Sequence, residues 1–368
     1  MPEAASRRLP AMSRPGPDMR ITIVGAGLAG SLLAWRLATL SPGLRVDLIT
    51  GPSDGADATA ASGGLVRGFE VDPAAAVLAA ASLAELVADP RLRAWSQYQE
   101  VGSFYLCGAD VRRADLDRLA PATAQVVPGA SLPDWAGLPE GSHAVVERAA
   151  GYFSPAALRR AVLDALPGLG VAVRRETVGL VPGAGAHDVV VLAAGAGTVA
   201  LLAASGLPDG GFRRKHIQYG LYAATGTRPP SFIDDLTGLY GRPTPDGGML
   251  LGVPSESWDP ADRPVAIPAL QRQAERLAAA RLPRLRLGAL RRTVVGVDCY
   301  GPDGHLTLRP LGSQDGLYTF TGGSGGSAKT ALAASLAAAR HLSSARLPQS
   351  AGISHSLRRE VDECQRSL

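Results

Sequence analysis

ITIVGAGLAGSLLAWRLA, residues 21–38, followed by RVDLIT at 45–50, decides how this chain is read. Residues 20–25 read as a strand buried on both faces, 28–40 as an apolar helix and 45–50 as a second strand. That is a βαβ unit with a crossover of the usual length. Gly25, Gly27 and Gly30 form GxGxxG at its first turn. Gly25 permits the turn, Gly27 lets a pyrophosphate approach the backbone, and Gly30 lets helix and strand pack. The helix opens at Leu28 and Ala29, so its amides face an anion. Alone the pattern is weak, but between a strand and a helix it predicts a dinucleotide site. The second strand ordinarily ends in an acid that grips a ribose, and here it ends in Thr50. Thr50 can hydrogen-bond the ribose without charge assistance, or simply end the strand. Asp47, three residues back, faces the other way. No arginine follows Thr50 to take a 2′-phosphate, which argues against NADP.

The 368 residues allow two domains or one large α/β unit. With 46% hydrophobic residues and a mean hydropathy of +0.08 the chain can build a core. Its apolar runs break before the roughly 20 residues of a membrane span, so the reading is a protein with no membrane partner. The net charge of +4 comes from arginines scattered through stretches read as helical, such as 271–296, without an aromatic RNA-binding motif. No nucleic-acid partner is therefore expected. Cys107, Cys299 and Cys364 stand alone, as in a reducing cytoplasm. Residues 1–18 read as a disordered leader and 346–368 as a loose tail.

Helices are expected near 73–88, 90–98 and 154–167, the last opened by Ser154 and Pro155. Strands are expected at 101–108 and 187–197, and an antiparallel set at 212–223, 238–243 and 247–253. In VVVLAAGAG an apolar strand empties into small residues, with Ala194 and Gly195 placed to wall a cofactor. Near the other end LYTFTGGSGGSAKTALA is a strand, a glycine loop and a long helix. Gly323, Ser324, Gly325, Gly326, Ser327 and Ala328 offer free amides at a second helix start. A cofactor held between the first and last segments of a chain is typical of FAD folds.

GAGLAGSLLAWRLA, ASGGLVRGF at 61–69, VGVDCYGPDGHLTLRPLG at 295–312 and the C-terminal glycine loop together resemble the FAD-dependent amine and amino-acid oxidases. That family includes D-amino-acid oxidase, glycine oxidase and sarcosine oxidase. The resemblance implies a Rossmann-type FAD-binding domain with a second, antiparallel-sheet substrate domain. It divides the chain into 19–90, 145–205 and 290–345 for FAD, and 91–144 and 206–289 for substrate. It implies oxidation of a C–N bond in a small amine or amino acid, by hydride transfer to FAD. Ser62, Gly63 and Gly64 would then contact the flavin. Lys329 and Arg67 match positions that bind the substrate carboxylate in sarcosine oxidases. Two cations on one carboxylate would aim the Cα–H at the ring.

The departures are as informative. Asp298 stands where glycine-oxidase-like members carry an arginine, and it would attract an amine rather than a carboxylate. Cys299 is near, but not at, the position of a flavin-bonding cysteine, which implies non-covalent FAD. Leu250 stands where sarcosine oxidases carry a lysine that helps oxygen react, so another electron acceptor is open. Tyr219, Tyr222 and Tyr240 lie on the expected second sheet and either line the cavity or pack. His216 is either a base or flavin contact, or structural. A flavin monooxygenase and a non-catalytic nucleotide-binding protein stay open as alternatives.

Overall fold

The computed structural model describes residues 19–51, 57–183, 188–312 and 316–344. The expected leader and tail, with Cys364, lie outside these residues. The opening unit forms as β1 (Arg20–Val24), α1 (Leu28–Leu40) and β2 (Arg45–Thr50). A short β3 (Leu65–Val66) precedes α2 (Pro73–Ala88) and α3 (Pro90–Ser96). Both helices begin with proline behind an aspartate cap. Asp72 accepts from the Ala75 amide and Asp89 from the Arg91 amide, each at 2.7 Å.

Next come β4 (Gln99–Glu100), β5 (Ser103–Cys107), α4 (Arg113–Leu119), β6 (Ala124–Pro128), β7 (His143–Glu147) and β8 (Gly151–Tyr152). Ser154 caps α5 (Pro155–Ala165) through the Ala157 amide at 3.2 Å. Then follow β9 (Ala172–Arg175), β10 (Asp188–Leu192), α6 (Gly197–Ala204) and the long β11 (Arg213–Gly226). The rest is β12 (Ser231–Asp234), β13 (Leu239–Pro243), β14 (Met249–Gly252), α7 (Pro268–Arg281), β15 (Leu285–Tyr300), β16 (Thr307–Pro310), β17 (Leu317–Thr321) and α8 (Ser327–Ser344).

The helical reading of 271–296 is corrected here. The helix ends at Arg281, and 285–300 is a strand. Pro283 removes the amide a continuing helix needs. Beyond it β-branched residues gather in TVVGV, which suits a strand.

Two sheets carry the architecture. The six-stranded sheet runs β16-β17-β10-β1-β2-β9, parallel except for the edge strand β16. Ile21, Ile23, Leu32, Leu33, Leu37, Leu48 and Phe320 pack with no exposure between it and its helices. The chain leaves β1 toward β2 on one side while β10 flanks it on the other. The strand order therefore reverses at the carboxyl ends of β1 and β10, where α/β sheets bind ligands.

The eight-stranded sheet runs β15-β11-β14-β13-β12-β5-β7-β6, antiparallel except where β12 lies beside β5. Residues 145 and 290, expected as domain boundaries, fall within β7 and β15, both strands of this sheet. The end of β15 joins the two sheets. Its Cys299 packs with Val24, Ile49 and Leu192 of the smaller one.

Candidate active site

The first glycine turn is a cradle that side chains would fill. Gly25 has φ of 109°, and a β-carbon there would overlap the Ala193 carbonyl. One at Gly30 would overlap the Gly25 carbonyl, so close packing of α1 on β1 requires glycine. At Gly27 a β-carbon would meet only the Thr59 hydroxyl, at 3.4 Å, which leaves room in the crevice. The Leu28 amide donates to Thr59 Oγ1 at 3.0 Å and the Ser31 amide to the Gly27 carbonyl. The amides of Ala29 and Gly30 precede the first intrahelical bond and are left for an anion. Beyond β10, Gly195 takes φ of 55° beside Ala194 in open space. Thr50 ends β2 with its hydroxyl bonded weakly to the Gly51 carbonyl at 3.3 Å. Asp47 is turned away and held by Arg174 at 2.5 Å. These residues fit a dinucleotide: free amides for the pyrophosphate, and a hydroxyl at the end of β2.

A second loop crosses this crevice. Ser62 Oγ accepts from the Gly64 amide at 3.2 Å, and Gly64, with φ of 68°, accepts from the Phe153 amide at 2.9 Å. The loop leads into Arg67, which is joined by Lys329 from the first turn of α8. Both meet Glu70: Arg67 Nη2 lies 2.6 Å from Glu70 Oε1, and Lys329 Nζ lies 3.0 Å from the same atom. All three side chains are at most 12% exposed. The two sequence-predicted cations thus converge, but on a carboxylate of the chain itself. Burial, and then the Arg67 charge, hold the Lys329 pKa below the usual lysine range, while Glu70 opposes them. A β-carbon at Gly326 would lie 2.5 Å from Lys329 Nζ, so glycine lets the lysine fold back over its own helix start. Arg67 also sits 4.8 Å from the Tyr105 ring centre. Glu147 fixes the backbone of this segment by accepting from the Gly68 and Phe69 amides at 2.8 and 2.9 Å.

The eight-stranded sheet turns one face to these loops. Tyr219 on β11, Leu250 on β14, Tyr240 and Arg242 on β13, and Val294 and Asp298 on β15 share that face by register. Tyr219 OH donates to the Ser62 carbonyl at 3.5 Å, and Arg242 Nε to the Gly63 carbonyl at 2.6 Å. Tyr240 lies over Gly252 and donates to the Gln218 carbonyl at 3.1 Å. A cleft of about 520 Å³ opens among Thr59, Ser62, Tyr152, Tyr219 and Arg242.

Asp298 is 7% exposed and, among the described residues, has no side-chain hydrogen bond or ion pair. Its Oδ2 lies 3.6 Å from where a β-carbon of Gly325 would stand, so it looks onto the C-terminal glycine loop. Burial pushes its carboxyl up to about 7. In that loop Ser324 takes φ of 61°, and the Gly325 amide donates to Tyr300 OH at 3.4 Å. Gly323 leaves no space for a side chain against Leu306 and Ser327. Ala328 packs against the main core from the first turn of α8.

The other face of the sheet belongs to α7. His216 is bonded to the Val265 carbonyl at 3.1 Å, and Tyr222 packs with Ala274 and Ala278. Gln218 exchanges two hydrogen bonds with Ile267 at the start of that helix. The structure therefore groups Arg67, Lys329, Asp298 and Tyr240 around the glycine loops and sets His216 on the opposite face. Cys299, one residue from Asp298, also points away, and burial pushes its thiol up to about 11.

Three residues of this site were not singled out from sequence: Glu70, Glu147 and Arg242. Glu70 stands three residues after Arg67, the spacing of a local ion pair. Arg242 stands two residues after Tyr240, the spacing that places both on one strand face. Nothing in the local sequence marks Glu147.

Residues 20–340 match the family model described as DAO, FAD dependent oxidoreductase. No curated protein sequence matches the chain. Among solved structures it is similar to L-proline dehydrogenase from P. horikoshii, with a TM-score of 0.73 and 17% identity, over 89% of this chain and 94% of that one. It is similar to glycine oxidase from Geobacillus kaustophilus, with a TM-score of 0.71 and 19% identity, over 92% and 97%. Iminodiacetate oxidase from Chelativorans sp. BNC1 gives a TM-score of 0.66 and 19% identity, over 92% and 98%. The glycine cradle, the two-sheet architecture and a family match spanning both ends of the fold agree: the chain belongs to the DAO family of FAD dependent oxidoreductases.

Proposed function

We propose that this enzyme oxidises a C–N bond of a small amine or amino acid to an imine, with non-covalently bound FAD as hydride acceptor and dioxygen or another acceptor as final oxidant. The observation that carries the reading is Asp298, a buried carboxylate without a partner among the described residues that looks onto the C-terminal glycine loop. An ammonium group satisfies it. With its carboxyl at about 7, Asp298 takes the ammonium proton near neutral pH, and only the neutral amine can expel hydride. Tyr219 and Tyr240 wall the substrate on the sheet face. Arg67 and Lys329, offset by one carboxylate, leave a net positive charge near the glycine loop. The six-stranded sheet with its helices holds the cofactor and the eight-stranded sheet covers the substrate. The solved structures of similar fold are named as a proline dehydrogenase, a glycine oxidase and an iminodiacetate oxidase, and all three names denote oxidation beside nitrogen. Among the described residues no single helix is long and apolar enough to cross a membrane. Cys107 and Cys299 are free thiols, in keeping with a cytoplasmic enzyme.

The test is anaerobic loss of the flavin colour with a panel of primary and secondary amines and amino acids. The rate of bleaching rises with pH through about 7 in the parent, because the base must be ionised, and this rise is lost in Asp298→Asn. A flavin that no amine bleaches, or that requires NAD(P)H to turn over, would overturn the proposal.

A further inference from the structure

We propose that Glu70 sets the substrate class: it fills the seat between Arg67 and Lys329 that an acid would otherwise take, so the substrates are amines with no carboxylate on the carbon that is oxidised. This inference rests on the C–N oxidation proposed above and narrows it. It begins with the charges around the C-terminal glycine loop. Lys329 Nζ folds back to within 2.5 Å of where a β-carbon of Gly326 would stand, and Asp298 Oδ2 lies 3.6 Å from the same point on Gly325. These two glycines are neighbours, with α-carbons about 3.8 Å apart. One cation and one anion therefore flank the loop, and they differ in their partners. Lys329 is already neutralised: Glu70 Oε1 lies 3.0 Å from its Nζ and 2.6 Å from Arg67 Nη2. Asp298 has no counter-ion among the described residues.

Arg67 offers no second seat. Its Nε is enclosed without an acceptor, and its guanidinium rests 4.8 Å from the Tyr105 ring centre. Glu70 itself is held in place. Glu147 accepts from the Gly68 and Phe69 amides between it and Arg67, and its side chain is 12% exposed. A substrate carboxylate arriving here meets a carboxylate already seated and must displace it from a buried ion pair, a strongly unfavourable exchange. An amine without an acid makes no such demand, and its ammonium supplies the counter-ion that Asp298 lacks. Arg242 does not rescue an α-amino acid. By register Arg242 faces Leu250, Leu250 faces Leu221, and Leu221 faces Arg292. Asp298 lies six residues beyond Arg292 on β15, roughly 20 Å along the strand direction. The nitrogen and carboxylate of an α-amino acid share one carbon and cannot span that distance.

The experiment uses the FAD-loaded protein and matched pairs that differ only in the α-carboxylate. These are pyrrolidine and proline, propylamine and 2-aminobutyrate, and phenethylamine and phenylalanine, each acid in both enantiomers. Flavin bleaching without oxygen gives the half-reducing concentration of each. Butyrate, which has the acid but no amine, is titrated separately through its effect on the flavin spectrum. In the parent the amine of at least one pair reduces the flavin at a lower concentration than its acid, no acid is the better member of its pair, and butyrate binds weakly. Glu70→Gln keeps the shape and opens the seat. It shifts the ratio toward the acid about tenfold or more and tightens butyrate by a similar factor, the gain of one charge-assisted contact. Lys329→Met added to Glu70→Gln returns the net charge to that of the parent without an open two-cation seat, and cancels both gains. General damage to the site weakens both members of a pair and leaves their ratio in place. Glu70→Asp withdraws the carboxylate by one methylene, moves the ratio the same way by a smaller factor, and serves alone if the glutamine variant does not hold flavin. An acid preferred to its amine in the parent, or a ratio unchanged in the variants, overturns the inference. If neither amines nor amino acids bleach the flavin, the C–N oxidation falls by itself. Butyrate then decides Glu70 separately: equal affinity in parent and variants refutes the seat.

Discussion

Asp298→Asn isolates the cost of keeping an unpartnered carboxylate inside the protein. Burial raises this pKa from an ordinary aspartate value near 4 to about 7 in the folded chain. Between those values the folded chain holds a proton that the unfolded chain has released. Stability therefore falls as pH rises through this window, and the loss is complete above about pH 7. Each pKa unit corresponds to about 1.4 kcal/mol, so the span from pH 5 to pH 7 removes about 3 kcal/mol. Asparagine has nearly the same shape and no charge at any pH, so the variant escapes that loss. Given an unfolding entropy of about 2 cal/mol/K per residue over a chain of this length, 3 kcal/mol corresponds to about 4 °C. The assay is thermal unfolding of parent and variant at pH 5 and pH 8, with FAD saturating throughout. The other titrating groups are common to both proteins and cancel in the difference. The melting temperature of the variant relative to the parent should rise by about 4 °C from pH 5 to pH 8. If the two proteins respond to pH in parallel, Asp298 is either solvated or paired, and the reasoning about its site is wrong.

Two further outcomes follow from the packing. Gly25→Val places a β-branched side chain against the Ala193 carbonyl at φ of 109°, so the variant should purify without yellow colour and melt lower; a normal flavin-to-protein ratio would show that the turn does not form the cradle. Glu70→Ala leaves Arg67 and Lys329 buried side by side and should cost about 3–5 kcal/mol in urea unfolding, with Lys329→Met in the same chain recovering part of it; no recovery would mean that the two cations do not repel.

Sequence disclosed the cofactor half of this protein far better than the substrate half, and the reason is physical. The glycine turn at Gly25 is a local device. Its demand for positive φ and close packing is written in consecutive residues, so both GxGxxG and its βαβ setting are visible before folding. The segment 271–296 misled because its arginines carry no period of their own, and only Pro283 marked where the helix stops and β15 begins. On the eight-stranded sheet the difficulty is of another kind. Strand alternation separates His216 from Tyr219, but which of the two faces meets the cofactor depends on α7 covering the other. That choice is made by a helix some 50 residues further on. Charge is harder still. Arg67 and Lys329 stand out as cations in suggestive loops, yet their meaning depends on Glu70, whose inward turn is set by Glu147 holding the intervening amides. With that carboxylate in place Arg67 and Lys329 keep one net positive charge, and Asp298 on the facing sheet is a buried carboxylate with no ion-pair partner among the described residues.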